Sequence, residues 1–130
     1  MCSSDLGDAS AYLGITMPGY PNLFFMYGPN TNIVVNGSII WFSEREANYI
    51  AASIGALLRN NLGAIDCKQD VHDRYKDWID AGNKLMVWGV STDNSWYKAP
   101  SGRVAQNWPY SLLEYWQQTR EPNLDDYVLS

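Results

Sequence analysis

The feature that most constrains this chain is an unbroken apolar run, Leu23-Phe24-Phe25-Met26-Tyr27, which stops abruptly at Gly28-Pro29-Asn30-Thr31. A run without polar alternation suits a strand covered on both faces, as strands of parallel sheets are. A helical pattern follows the turn. Strand, Gly-rich turn and helix together bring backbone N–H groups and a helix N-terminus beside a ligand. A parallel strand also needs parallel neighbours, each reached through a crossover of about a dozen residues or more. The sequence holds one such unit, so the rest of the sheet is expected to lie outside it. The chain is therefore expected to be a piece of a longer protein.

The length, 130 residues, allows one domain with a sizeable core. Six Trp and nine Tyr point to thick aromatic contacts or a stacking surface. The net charge is −5, with Glu121, Asp125 and Asp126 near the C-terminus, which counts against nucleic acid and anionic membranes as partners. No apolar stretch approaches the roughly 18 residues of a membrane span. Cys2 and Cys67 are too few for a disulfide framework and have no metal-binding spacing, so a reducing cytoplasm is the expected compartment. Met1-Cys2-Ser3-Ser4-Asp5-Leu6 lacks the regions of a signal peptide and looks like a translated sequencing adaptor. The expected division is residues 1–6 as non-native, 7–63 as strand, turn and helix, and 64–130 as a C-terminal cap.

Tyr12 to Pro21 reads as a turn-rich approach, with Gly14, Pro18, Gly19 and Pro21. The long helix carries Ile39, Phe42, Ile50, Ile54 and Leu57 on one face, with Tyr49 and Leu58 flanking. Ser43-Glu44-Arg45-Glu46 matches a capping box, but a start at Ser38 sets the N-terminus closer to the Gly-Pro-Asn turn and is preferred. Gly63 is expected to close this helix. Residues 64–68 read as an edge strand. Asp70 is expected to cap a helix with Val71, Tyr75, Trp78 and Ile79 inward, ending near Gly82-Asn83. Residues 85–88 and 95–98 read as short strands, the second pairing with 102–106 in a hairpin. Ser111 is expected to cap a last helix with Leu112, Leu113 and Trp116 inward, stopped by Pro122.

Few residues suit chemistry. The only histidine, His72, lies between Asp70 and Asp73 and reads as a solvated helix residue, since triad and metal chemistry need partners. Asp70, Asp73, Asp77 and Asp80 alternate with Arg74 and Lys76, as on a solvated face. Cys67 reads as structural. The Gly28-Pro29-Asn30-Thr31 turn, with Asn32, Gly37 and Ser38 after it, is the first candidate site. It suits a carbonyl-rich or anionic group near a helix N-terminus. Ser95-Trp96-Tyr97-Lys98 with Gly102-Arg103 is the second: an indole beside two cations that stacks on a flat ring or binds phosphate. Packing of either element on the body of the protein is the plain alternative.

A series of motifs in order carries a resemblance. Tyr12-Leu13-Gly14-Ile15-Thr16-Met17-Pro18-Gly19-Tyr20-Pro21-Asn22-Leu23-Phe24 is followed by Tyr27-Gly28-Pro29-Asn30-Thr31 and Gly37-Ser38-Ile39-Ile40. Then come Met86-Val87-Trp88, Ser95-Trp96-Tyr97-Lys98, Gly102-Arg103-Val104 and Trp108-Pro109. Together they resemble the C-terminal end of flavin-dependent Baeyer–Villiger monooxygenases, most like the 4-hydroxyacetophenone monooxygenase branch.

That resemblance implies an α/β fold, the C-terminal piece of a dinucleotide-binding flavoprotein. Its parts would be one parallel-type strand with a long helix, then a helix and a small antiparallel hairpin cap. It implies FAD and NADPH as cofactors, with NADPH reducing the flavin and one atom of O₂ inserted into a small ketone. Gly28, Pro29, Asn30, Thr31, Gly37 and Ser38 would border the flavin and Trp96 would lie near NADP. The rest of the parent chain is the implied partner. No G-x-G-x-x-G occurs here, so the dinucleotide phosphate sites and the family's catalytic arginine are not in this chain, and neither Arg45 nor Arg103 takes that position. Asp93-Asn94 stands where many relatives have cysteine. Flavin monooxygenases that oxidise nitrogen or sulfur share the scaffold, and an aromatic-rich binding module with Trp96 and Trp108 as its platform is the alternative of another class.

Overall fold

The computed structural model describes residues 9–33, 37–90, 98 and 101–130. Its elements are α1 (Ile39–Arg59), β1 (Ile65–Cys67), α2 (Gln69–Lys84), a single turn α3 (Val87–Val90), α4 (Leu112–Thr119) and β2 (Tyr127–Leu129), with a 3₁₀ turn over Leu124–Asp126. Helices dominate, and β1 and β2 pair antiparallel with Ile65 opposite Leu129 and Cys67 opposite Tyr127.

The run that looked like a buried strand is not one. Leu23 to Tyr27 carries no strand, and Leu23, Met26 and Tyr27 are 42%, 53% and 48% exposed. Phe25 donates to the Ile15 carbonyl and Tyr27 to a side chain, but no ladder forms. Apolar pattern alone does not make a strand; the neighbours that would cover this one are not supplied by the described residues.

α1 begins where expected, with Ser38 at the N-cap, but its inward face is rotated from the expected one. Phe42, Glu46, Tyr49, Ser53, Ala56 and Leu57 are buried, while Ile39 and Ile54 are exposed. The polar Glu46 and Ser53 interrupt the apolar stripe, which is why the sequence period pointed elsewhere. The helix closes before Gly63. Asn61 takes the left-handed conformation (φ +54°), Asn61 N–H donates to Leu58 and Leu62 N–H to Leu57 at 2.8 Å, a full Schellman ending.

β1 confirms the edge strand expected at 64–68, and Asn22 extends it: its N–H donates to Ile65 O at 3.0 Å while its side-chain oxygen accepts from Ile65 N–H at 2.9 Å. α2 starts at Gln69, one residue before the expected cap, and ends at Lys84. Residues 87–90 are helical rather than extended, with Leu85 and Val87 exposed. Of the expected hairpin the described part is one antiparallel bridge, Lys98 to Val104; residues 95–97 lie outside the described ones. α4 has the expected cap, with Ser111 Oγ accepting from Glu114 N–H and Glu114 answering to Ser111 N–H. Its buried residues are Tyr115 and Thr119, whereas Leu113 and Trp116 face outward.

The core is aromatic. Phe42 of α1 stacks on Tyr115 of α4 at 4.3 Å, and Trp108 meets Phe42, Trp78 and Tyr115 edge-on. Leu13 and Ile15 close it from the N-terminal hook formed by residues 12–16. This core crosses residue 63, the expected boundary, because Leu13, Phe42, Tyr49, Trp108 and Tyr115 share it.

Candidate functional site

The Gly28–Thr31 turn is held by the chain itself. Tyr27 and Asn30 both adopt left-handed backbone (φ +54° and +58°), a conformation uncommon outside glycine and asparagine. Gly28 sits against the hook: a Cβ there would run into the Gly14 carbonyl oxygen, and a Cβ at Gly14 would run into Thr31 Cγ2. Two backbones therefore cross with no room for a side chain between them. Thr31 Oγ1 donates to Gly28 O at 2.7 Å.

The expected ligand-facing asparagine points inward. Asn30 Nδ2 donates to the carbonyls of Val104 and Asn107 at 2.9 and 3.0 Å, and Asn30 N–H to Ala105 O. Asn32 and Asn107 form a parallel bridge and join side chains at 3.0 Å, and the Tyr27 hydroxyl donates to Asn32 Oδ1. Asn107, fully buried, leaves Nδ2 without a partner among the described residues. Pro29 is half-buried. Thus Asn30 and Thr31 fix the turn from inside, Gly28 and Pro29 are half-buried, and the exposed residues beside them are Tyr27 and Met26.

Gly37 and Ser38 lie at the start of α1 and are exposed. Ile33 packs on Gly37, where a Cβ would approach its Cγ1 to 2.8 Å. The Ser38 side chain makes no capping bond, and the first turn of α1 holds no acid. The first N–H groups of a helix have no intrahelical acceptor and carry the positive end of its dipole. Among the described residues the Ser38 side chain does not cap them, and Ile39 and Ile40 beside them are exposed. Trp96 lies outside the described residues.

The second candidate changes character. Arg103 does not point a free charge at solvent: Nε reaches both oxygens of Asp80 at 2.9 and 3.1 Å, Nη1 donates to Ala9 O at 2.7 Å, and Nη2 to Asn30 Oδ1 at 3.2 Å. Asp80 accordingly leaves the solvated face assigned to it. A cleft of about 330 Å³ opens beside this pair, lined by Asp80, Asn83 and Lys84 of α2 and by residues 101–104. Trp108 is 2% exposed and donates from Nε1 to Ser111 O, so it offers no stacking platform.

His72 is a correction too. It is buried, with Nε2 at 3.1 Å from Ser10 Oγ and Nδ1 at 3.0 Å from Asp73 Oδ1. Serine, imidazole and carboxylate stand in the order of a hydrolytic triad, but Ser10 is buried, so the chain of bonds ties the N-terminal segment to α2. The bond from His72, with a second from Gln69, holds the Asp73 carboxyl below its usual range. Cys67 is structural as expected: burial pushes its thiol up to about 12. No helix among the described residues is long and apolar enough to cross a membrane.

Residue patterns missed Glu46, fully buried on α1 and accepting the Tyr27 N–H at 2.9 Å. The available signal was its place four residues after Phe42 and three before Tyr49, inside the stripe that the structure buries.

No family model matches the chain. It is 32% identical over 123 residues to an uncharacterized monooxygenase of Sinorhizobium fredii, covering 95% of this chain and 19% of that protein. It is 33% identical over 121 residues to a Baeyer-Villiger monooxygenase of Pseudomonas aeruginosa, covering 92% and 23%. Among solved structures it resembles an oxidized steroid monooxygenase bound to NADP, with TM-score 0.78, 18% identity, and coverage of 98% and 24%. Cyclohexanone monooxygenase from Rhodococcus sp. Phi1 bound to NADP⁺ gives TM-score 0.73, 18% identity, and coverage of 95% and 24%. The chain spans about a fifth of the length of the curated relatives it matches.

Proposed function

Starting from a chain homologous to one segment of the flavin-dependent Baeyer–Villiger monooxygenases, we propose that it serves as the C-terminal part of an FAD- and NADPH-dependent enzyme. That enzyme inserts one oxygen atom from O₂ into a small ketone. The observation that carries this reading is the match to monooxygenases along more than nine-tenths of the chain. The segment itself holds no catalytic residue, and the 130 residues alone do not turn over.

In this reading the turn of Gly28, Pro29, Asn30 and Thr31 and the start of α1 at Gly37 and Ser38 border the flavin, and Trp96 lies near NADP. Bound FAD would supply the redox chemistry. The chain's own contribution is position and field. The uncapped N–H groups after Ser38 favour negative charge at the polar edge of the ring, as oxyanion-hole donors do. Exposed Leu23, Met26, Ile39 and Ile40 exclude water where the remainder of the parent chain covers them. Residues 7–63 then act as the closing part of the FAD domain and 64–130 as its cap, in a protein of the cytoplasm.

The test is the reading frame ahead of Gly7, recovered by amplification from the source DNA. Two G-x-G-x-x-G units upstream are expected. A stop codon and promoter directly ahead of Met1 would overturn the reading.

A further inference from the structure

Six tryptophan and tyrosine rings run through the core in unbroken contact. Trp41, in the first turn of α1, lies 6.5 Å from Tyr115 between ring centroids, and Tyr115 lies 5.1 Å from Trp108. Trp108 meets Trp78 at 5.8 Å, Trp78 meets Tyr75 at 5.9 Å, and Tyr75 meets Tyr12 at 5.3 Å. Packing alone asks only for apolar bulk, which leucine or phenylalanine supplies as well. Every ring of this series is instead of the two kinds that give up an electron most readily.

The hydroxyl partners decide where a positive hole can rest, because an oxidised tyrosine must lose its proton to a base. Tyr75 has no hydrogen-bond partner for its hydroxyl among the described residues, and Tyr115 donates to the Leu13 carbonyl at 2.9 Å, which is no base. Tyr12 differs. Its hydroxyl donates to Asp126 Oδ2 at 2.7 Å, and both residues are half-buried and reach solvent. No other described tyrosine has a carboxylate so near; Glu46 stands 3.5 Å from Tyr115.

We propose that this series is a hole relay, which takes up an oxidising equivalent at Trp41 and sets it down on Tyr12, where a soluble thiol quenches it. The oxidant is an oxygen-centred radical of peroxide origin. It takes one electron from Trp41 and becomes an oxygen anion. Electrons then move ring to ring from Tyr12 toward Trp41. As Tyr12 loses its electron, its phenolic proton passes to the Asp126 carboxylate. The thiol gives a hydrogen atom to the Tyr12 radical and becomes a thiyl radical. Asp126 returns its proton to solvent, where it neutralises the anion. The sum is one radical reduced and one thiol oxidised, with every ring restored. The source of the oxidant rests on the reading that α1 begins beside a flavin that works with O₂; the relay itself does not.

The test is made in the full-length protein carrying this chain. A ruthenium photo-oxidant tethered at Glu44→Cys, an exposed position one turn after Trp41 on α1, injects the hole at one end. Freeze-quenched electron paramagnetic resonance after a flash should show a tyrosyl radical that disappears in Tyr12→Phe and weakens in Asp126→Asn. Tyr75→Phe removes a hydroxyl with no partner among the described residues, so the fold should survive. It should shrink the Tyr12 signal while oxidised tryptophan accumulates at Trp108 and Trp78, and Trp78→Phe should shrink it too. A radical that persists in Tyr12→Phe, or a Tyr12 signal untouched by both Tyr75→Phe and Trp78→Phe, would overturn the relay. A second arm omits the ruthenium and supplies NADPH and O₂ without ketone, with oxidation mapped residue by residue by mass spectrometry. More oxidised Trp41 and Trp108 in Tyr75→Phe than in the wild type supports both the relay and the flavin beside α1. Equal oxidation, with the ruthenium result intact, supports the relay and removes the flavin from Trp41.

Discussion

Arg103 donates through Nε to both carboxylate oxygens of Asp80, at 2.9 and 3.1 Å, and the same guanidinium reaches Ala9 and Asn30. One side chain thereby joins the N-terminal segment, the Gly-Pro-Asn turn and α2. A planar fork with several donors can do this; an ammonium cannot. Removing Arg103 leaves Asp80 and Asn30 Oδ1 without their donor in a partly buried place. Arg103→Ala should therefore cost about 3 kcal/mol of unfolding free energy in a urea titration. Arg103→Lys should recover only part of that loss.

Gly14 and Gly19 both have positive φ, +71° and +85°, yet they differ in what surrounds them. A Cβ at Gly19 meets nothing within 4 Å, whereas at Gly14 it meets Thr31 and the Pro29 carbonyl. Gly19→Ala should cost roughly 1 kcal/mol, the strain of the backbone alone. Gly14→Ala should cost at least about 2 kcal/mol more, because the turn must move away from the hook. Denaturant midpoints of the two variants check the difference.

Ser111 and Ser38 both occupy N-caps, and only one caps. Ser111 Oγ accepts from Glu114 N–H at 3.2 Å, while Ser38 makes no such bond. Ser111→Ala should lower stability by about 1 kcal/mol and Ser38→Ala by a few tenths at most. Thermal melts of the pair measure it. Equal losses at both sites would mean that Ser38 does cap α1, and the open N-terminus assigned to the cofactor would be lost.

Cys67 is buried with its thiol pushed up to about 12, so it presents almost no thiolate at neutral pH. Alkylation followed residue by residue with mass spectrometry should leave Cys67 unmodified in the native protein and modify it promptly in denaturant. Prompt native labelling would contradict its packing against the core.

Some local signals were legible. Ser111 announced α4, nearness to the Gly-Pro-Asn turn gave the start of α1 at Ser38, and the stretch 64–68 became β1, whereas the cap expected at Asp70 did not form. Signals that depend on distant partners were not. Leu23 to Tyr27 reads as a buried strand because every side chain is apolar, but a strand is made by its neighbours. The face of α1 was misjudged because the polar Glu46 and Ser53 lie in its buried stripe, Glu46 accepting from Tyr27 outside the helix and Ser53 donating to Tyr49 O one turn back. His72 read as solvated for the same reason, its partner Ser10 being 62 residues away. The turn was found as a motif, yet its asparagine proved to be the anchor on residues 104–107 rather than a side chain offered outward.

The most direct measurement is the absorption spectrum of the purified full-length protein, recorded before and after anaerobic addition of NADPH. The account predicts a flavin band that NADPH bleaches and that O₂ restores, with restoration coupled to product when a ketone is present. A protein that stays colourless after reconstitution with FAD would contradict it.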